Sequence, residues 1–163
     1  MSRPIHPQTR IGHVHLKVAD LDRAIGFYSG VLGFEVMQRS DSAAFLSAGG
    51  YHHHLGLNTW ESKGGTPPPK GHTGLYHTAF LYPDRASLGD AVQRMLDAGF
   101  AIEGSADHGV SEAIYFSDPD GNGIELYRDR AEPDWPRDGQ GRLAMVNARL
   151  DIEALLAEPR DAG

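Results

Sequence analysis

The chain has 163 residues, of which 40% are apolar, so it is long enough to bury a core of its own. Its formal net charge of −7 argues against nucleic-acid binding, because binding the phosphate backbone requires a surplus of lysine and arginine. It has no cysteine and no apolar stretch suited to a signal peptide or a membrane span. We therefore expect a cytoplasmic protein without a membrane partner, in which any metal is held by nitrogen and oxygen ligands.

The first half of the chain combines one helical pattern with several strand-like patterns. Apolar and polar residues alternate over residues 11–18, which is typical of a strand. A helix is predicted after Asp20, which can cap it, and it should end at Gly33. Later strands are predicted in "AAFLSA" and in "YHHHLGLNTW", so three consecutive histidines are expected within a strand.

The same order of elements returns after a segment rich in glycine and proline. The composition of "ESKGGTPPPKGHTG" is typical of a linker, which we place at residues 63–74. A strand, a helix and two strands are then predicted in "LYHTAFLY", "RASLGDAVQRMLDAG", "EAIYFSD" and "GIELYRD". Because each half contains a strand, a helix, a Gly-Phe pair and further strands, we predict one module over residues 10–62 and a second over residues 75–130.

Each predicted module has a possible metal ligand on its first strand and another on its last strand. In the first module these residues are His13 and His54, and in the second they are His77 and Glu125. Imidazole nitrogens and carboxylate oxygens are common ligands of divalent metals. If the two modules pair about a pseudo-two-fold axis, these four side chains should meet at one point.

Three segments resemble the vicinal oxygen chelate superfamily, which includes glyoxalase I, extradiol dioxygenases, fosfomycin-modifying enzymes and bleomycin resistance proteins. They are "HVHLKVADLDRAIGFYSGVLGFEV", "LYHTAF" and "IYFSDPDGNGIELY". The triple histidine and "DHGVSEAIYFSDPDGNGIELYRDR" more narrowly resemble single-domain proteins akin to catechol-2,3-dioxygenase. The resemblance implies an α+β fold in which two tandem βαβββ modules form a cupped mixed sheet around a metal site. It also implies a homodimer.

The triple histidine leaves open which of its residues faces the cavity. Strand alternation puts His52 and His54 on one face and His53 on the other, and a bulge could exchange them. Counting back from the apolar "LGL" favours His54 as the match to the second ligand position of the superfamily. His53 is the rival.

The favoured function follows from the resemblance to extradiol dioxygenases. With His13, His77 and Glu125 as ligands, the site is a two-His-one-carboxylate set that suits ferrous iron, although Mn²⁺, Ni²⁺ and Zn²⁺ are alternatives. His54 or its neighbour would then be the acid/base of catechol-type ring cleavage. Tyr115, ten residues before Glu125, would hydrogen-bond the bound catecholate.

Two other functions are compatible with the same residues. If His54 is a fourth ligand, the site resembles that of glyoxalase-type isomerases or lyases, which use the metal to stabilise an enediolate. Some members of the superfamily bind antibiotics without a metal, so the third hypothesis is a non-catalytic binding or resistance protein. In all three cases the partner is a small molecule.

Other residues are assigned around this predicted site. His15, His52 and His108 are candidates for contact with the substrate. Residues 1–9 form a tail, and residues 131–163 form a C-terminal extension with a short helix predicted in "LDIEALLAE". The extension is expected to pack across a dimer partner, to cover the cavity or to fray.

Overall fold

A computed structural model describes residues 3–159. The chain divides into two compact units, Met1–Thr66 and Pro67–Gly163. Each unit contains one four-stranded sheet. Within residues 3–159, no helix has the length and apolar character needed to cross a bilayer. The ends of both predicted tails, residues 1–2 and 160–163, lie outside the described part of the chain.

The first unit contains one helical segment and four strands. They are β1 (Val14–Lys17), α1 (Leu21–Ile25) continued by a π-helix (Gly26–Val31), β2 (Glu35–Arg39), β3 (Ala43–Ser47) and β4 (Leu55–Asn58). The order in the sheet is β1-β4-β3-β2. β1 pairs with β4 in parallel, and the other neighbours are antiparallel.

The helical segment follows the pattern of caps and apolar residues in the sequence. The Asp20 side chain accepts a hydrogen bond from the Arg23 backbone N–H at 3.0 Å, which caps the start of α1. Phe27 and Tyr28 are buried in the wider π-helical turn that follows. The chain leaves this turn at Gly33, whose φ of 86° suits glycine.

The triple histidine precedes its strand, so the prediction of a strand through all of "YHHHLGLNTW" is wrong for its first residues. β4 begins only at Leu55. Gly49 and Gly50 both have positive φ, which turns the chain sharply before the histidines and interrupts strand geometry. The His54 backbone bonds to both neighbouring strands, donating to Leu46 and accepting from Val14. His54 is therefore the histidine at the entrance of the strand.

The second unit repeats the connectivity of the first and adds the C-terminal segment. Its elements are β5 (Thr78–Tyr82), α2 (Arg85–Asp97), β6 (Gly104–Asp107), β7 (Ser111–Ser117), β8 (Gly123–Asp129), a 3₁₀ turn (Glu132–Asp134) and α3 (Ile152–Leu156). The sheet order is β5-β8-β7-β6, with β5 parallel to β8. This arrangement confirms the predicted α+β fold with two tandem βαβββ modules.

The predicted C-terminal helix packs on α2 of its own unit. Leu155 of α3 is fully buried. Gly89 of α2 allows the close approach, because a Cβ atom there would lie 2.6 Å from the Leu155 carbonyl oxygen. Arg85 at the start of α2 donates to the Ala154 carbonyl and to the Glu158 carboxylate. The described part of the extension is thus integrated into the second unit.

A buried carboxylate joins three arginines in the second unit. Glu112 of β7 is 5% exposed. It accepts hydrogen bonds from Arg85 at 3.2 Å, Arg128 at 2.8 Å and Arg130 at 3.2 Å. Arg130 also donates to Asp107 at 2.6 Å. The network connects α2, β6, β7 and the end of β8, so its charges compensate one another inside the unit.

Candidate functional site

Four side chains of the second unit contact one another in a row. They are His77, Glu125, Tyr115 and His108, which are all residues predicted from the sequence. Tyr115 on β7 and Glu125 on β8 are direct cross-strand partners, so their side chains lie on the same face of the sheet. His77 directly precedes β5, the parallel neighbour of β8. The strand pairing therefore brings the first three residues together.

His77 and Glu125 form a close pair of possible metal ligands. His77 Nε2 lies 2.9 Å from Glu125 Oε2. His77 Nδ1 is buried and has no hydrogen-bond partner among the described residues. Gly123 makes room for this segment, because a Cβ atom there would lie 2.1 Å from the Tyr76 carbonyl oxygen and 3.1 Å from His77 Cβ. Glycine at the start of β8 is thus required for the position of His77.

Tyr115 provides a neutral hydroxyl beside the Glu125 carboxylate. Its Oη donates to Glu125 Oε1 at 3.2 Å. Burial and, next, the nearby charge of Glu125 raise the pKa of Tyr115 to about 12. The phenol consequently keeps its proton at neutral pH and is available as a hydrogen-bonding group.

His108 connects this row of contacts to the C-terminal segment. Its Nε2 lies 3.0 Å from the Tyr115 hydroxyl, and its Nδ1 lies 3.1 Å from the Val146 carbonyl oxygen. Sequence analysis identified His108 but missed Val146. A main-chain carbonyl is present at every residue, so no sequence pattern could have identified this partner.

In the first unit, His13 and His15 have different surroundings. The rings of His13 and His53 are 4.5 Å apart, and His53 also contacts Phe45 at 5.0 Å. The ring of His15 is near both Phe45 and Trp60, with ring centroids 6.0 and 5.5 Å away. The ring of His15 covers Gly56, where a Cβ atom would come within 2.8 Å of it.

The members of the triple histidine have different hydrogen-bond partners. His52 Nδ1 and His53 Nδ1 lie 2.7 Å apart. His54 Nδ1 accepts from the Ala48 backbone N–H at 3.3 Å and lies 3.1 Å from Ser47 Oγ. Desolvation, followed by the proximity of His13, lowers the pKa of His53. His53 is thus the member whose ring is beside His13, whereas the ring of His54 is held at the end of β3.

The donor atoms fit a divalent transition metal. Imidazole nitrogen and carboxylate oxygen suit such ions, and the buried, unpartnered nitrogen of His77 lies on the same ring that contacts Glu125. Within the described residues of either unit, no three histidine or carboxylate side chains form a metal-binding group. The shared ligand set of His13, His77 and Glu125 therefore stays a prediction.

Comparisons with known families and proteins extend these observations. The Glyoxalase/Bleomycin resistance protein/Dioxygenase superfamily matches residues 10–126. The catechol-2,3-dioxygenase of Bacillus subtilis (strain 168) is 46% identical over 96% of the chain and 54% of its own length. The biphenyl-2,3-diol 1,2-dioxygenase 3 of Rhodococcus globerulus is 33% identical over 74% of the chain and 63% of its own length. The chain thus spans between half and two thirds of these relatives.

A solved structure shows the same fold. The glyoxalase/dioxygenase from Nostoc punctiforme matches with a TM-score of 0.63 and 23% identity. The match covers 80% of this chain and 99% of that one. The arrangement of two tandem βαβββ modules therefore has a counterpart among solved structures.

Proposed function

Because the chain belongs to the Glyoxalase/Bleomycin resistance protein/Dioxygenase superfamily, we propose that it is a divalent-metal-dependent enzyme acting on a small substrate with two vicinal oxygens. The favoured reaction is extradiol cleavage of a catechol-type ring. The main support is the hydrogen-bonded set of His77, Glu125, Tyr115 and His108. The similarity to a catechol-2,3-dioxygenase and to a biphenyl-2,3-diol 1,2-dioxygenase adds to it. The expected homodimer and cytoplasmic location remain predictions.

The proposed ligands are His13, His77 and Glu125. A two-His-one-carboxylate set suits ferrous iron, which is our proposed metal, while manganese, nickel and zinc bind similar donors. When bound, the metal would supply adjacent positions for a chelating diolate and for dioxygen. Glu125 is 13% exposed at its side chain, so it is largely shielded from water and suited to hold a cation.

Tyr115 is proposed to orient the substrate. Its raised pKa keeps the hydroxyl neutral at pH 7, so the residue enters the reaction as a hydrogen-bonding group and not as a phenolate. The hydroxyl lies between Glu125 and His108, which fix its position. A substrate oxygen next to Glu125 would thus meet a hydroxyl that is already in place.

Aromatic side chains in the first unit favour an aromatic substrate. Phe45 and Trp60 are both near His15, and Phe45 also contacts His53. Rings of this kind stack well against a catechol. We therefore retain His15, and with it His52 beside His53, as residues that contact the substrate.

The acid/base is proposed to be His54, with His53 as the rival. Replacing His54 by asparagine keeps an acceptor near the position of Nδ1, so the bond from Ala48 can persist while Nε2 is lost. If His54 is the acid/base, His54→Asn should lower kcat by about 10²- to 10⁴-fold with unchanged metal content. His53→Asn is the matched control and should lower kcat by less than about tenfold. Steady-state kinetics and metal analysis distinguish these results.

The opposite pattern would transfer the acid/base role to His53. A third pattern is also informative, since loss of metal in His54→Asn would make His54 a ligand. That result would favour the glyoxalase-type isomerase or lyase over the dioxygenase.

The proposed reaction can be tested directly. The protein is purified without oxygen, its metal content is measured, and ferrous iron and a panel of catechols are added in air. We expect the yellow product of extradiol cleavage. Chelator-treated protein and an oxygen-free reaction are the controls, and neither should develop colour. No colour together with tightly bound nickel or zinc would contradict the dioxygenase proposal, and so would a protein that binds no metal.

A further inference from the structure

Part of the C-terminal extension lies along the edge of the second sheet. β6 is the outermost strand of that sheet. Asp107 and Ala148 exchange two backbone hydrogen bonds of 2.9 Å, and the Val146 N–H donates to the His108 carbonyl at 3.0 Å. These bonds align residues 146–148 with the end of β6 as an additional short strand segment.

The same segment also binds the His108 side chain. The Val146 carbonyl oxygen lies 3.1 Å from His108 Nδ1. Because a carbonyl oxygen can only accept a hydrogen bond, this contact requires the proton of the ring on Nδ1. In the neutral imidazole, Nε2 is then an acceptor, and it faces the Tyr115 hydroxyl at 3.0 Å.

The Tyr115 hydroxyl has one proton and two acceptors within reach. One acceptor is Glu125 Oε1 at 3.2 Å, and the other is His108 Nε2 at 3.0 Å. When the phenol donates to His108, Glu125 is relieved of a hydrogen bond that would compete with its use as a ligand. The tautomer of His108 thereby affects both the hydroxyl and the carboxylate.

We propose that residues 146–148 of the extension are a positioning element of the catalytic site, in which the Val146 carbonyl fixes the tautomer and orientation of His108 beside Tyr115. His108 is accordingly a positioning residue, because it acts through Tyr115. Only the kinetic tests of this proposal rest on the proposed function; the tautomer of His108 can be measured without it. Val146 lies beyond residues 10–126, the part of the chain that matches the superfamily.

The tautomer can be measured without any assay of activity. In metal-free protein labelled with ¹⁵N-histidine, long-range ¹H–¹⁵N spectra distinguish the two neutral tautomers. The His108→Gln variant identifies the signals. We expect the Nδ1–H form for His108 in the unmodified chain. The Nε2–H form there would overturn the proposal, whatever reaction the protein catalyses.

The effect on the site is tested with a double-mutant cycle. Val146→Pro removes the backbone N–H that pairs this residue with His108, and the carbonyl should shift with it. We expect kcat/KM to fall about tenfold in the otherwise unmodified chain and less than about twofold in the His108→Ala background. Equal losses in both backgrounds would show that the segment only supports the fold, and would refute the proposal.

A second pair of variants applies if Val146→Pro does not fold. His108→Asn retains a donor near Nδ1 for the Val146 carbonyl, and His108→Gln retains an acceptor near Nε2 for the Tyr115 hydroxyl. Since the proposal requires both ends of the ring, each variant should lower kcat/KM about 10- to 100-fold. Normal kinetics in His108→Gln would show that the bond to Val146 has no role in the site.

Discussion

Glu125→Ala should lose its stoichiometric metal, and turnover with any catechol substrate should fall by more than about 10²-fold. Loss of a residue that hydrogen-bonds a metal ligand already lowers metal affinity or activity by about 10- to 100-fold, so loss of the ligand itself should lower them more. Glu125 is suited to this role because its two oxygens have different partners. Oε2 lies beside His77 Nε2, and Oε1 accepts from Tyr115.

Metal analysis after anaerobic reconstitution measures this effect directly. Glu103→Ala is a control in the same unit, because Glu103 is exposed and precedes β6. It should retain full metal content and activity. His77→Ala should behave like Glu125→Ala. If Glu125→Ala instead binds metal in the original amount, the carboxylate is not a ligand and the assigned site is wrong.

Glu112→Gln should lower the free energy of unfolding by about 3–5 kcal/mol, which is the usual cost of removing one partner from a buried ionic network. The side chain of Glu112 is 6% exposed, and its three arginines are also largely shielded from water. Once the carboxylate is neutral, Arg128 loses its ion pair, while Arg85 and Arg130 retain only Glu158 and Asp107 as charged partners. Glutamine retains the volume of the side chain, so the effect isolates the charge.

Denaturant unfolding of metal-free protein is the appropriate measurement, because a bound metal would add its own stabilisation. Glu61→Gln is the matched control. Glu61 pairs with Lys17 at 3.5 Å, and both side chains are mostly exposed, so its loss should cost less than about 1 kcal/mol. Similar costs in the two variants would mean that the network around Glu112 contributes no more than a surface ion pair.

The fold was largely predictable because the two modules have the same order of strand and helix patterns in the sequence. Strand alternation and the cap at Asp20 are short-range signals, and they need no knowledge of tertiary contacts. It was also predictable that the side chains of Tyr115 and Glu125 lie on the same face of the sheet. Both residues are at odd positions on strands joined by a tight turn, and they are cross-strand partners in the structure.

The arrangement of the triple histidine could not be predicted by the same reasoning. Strand alternation assumes an extended chain, but Gly49 and Gly50 turn the backbone just before these residues. The ring of His53 consequently lies beside His13, although simple alternation assigns it to the opposite face from His54. The contact between His108 and Val146 escaped prediction for another reason, since it joins residues 38 positions apart through a main-chain oxygen.

The docking of the extension on the second unit has a consequence for protein synthesis. The first unit ends at Thr66, and domains generally fold in order as they leave the ribosome. The second unit needs Leu155 to cover α2, and it needs Glu158 for Arg85. About 90 residues separate Thr66 from Leu155 and Glu158. At ordinary elongation rates, the packing of the second unit is therefore completed roughly 5–20 s after the first unit has been synthesised. Once α2 and β6 have emerged, one side of α2 and the edge of β6 stay exposed until residues 146–158 follow, and exposed strand edges of this kind favour aggregation.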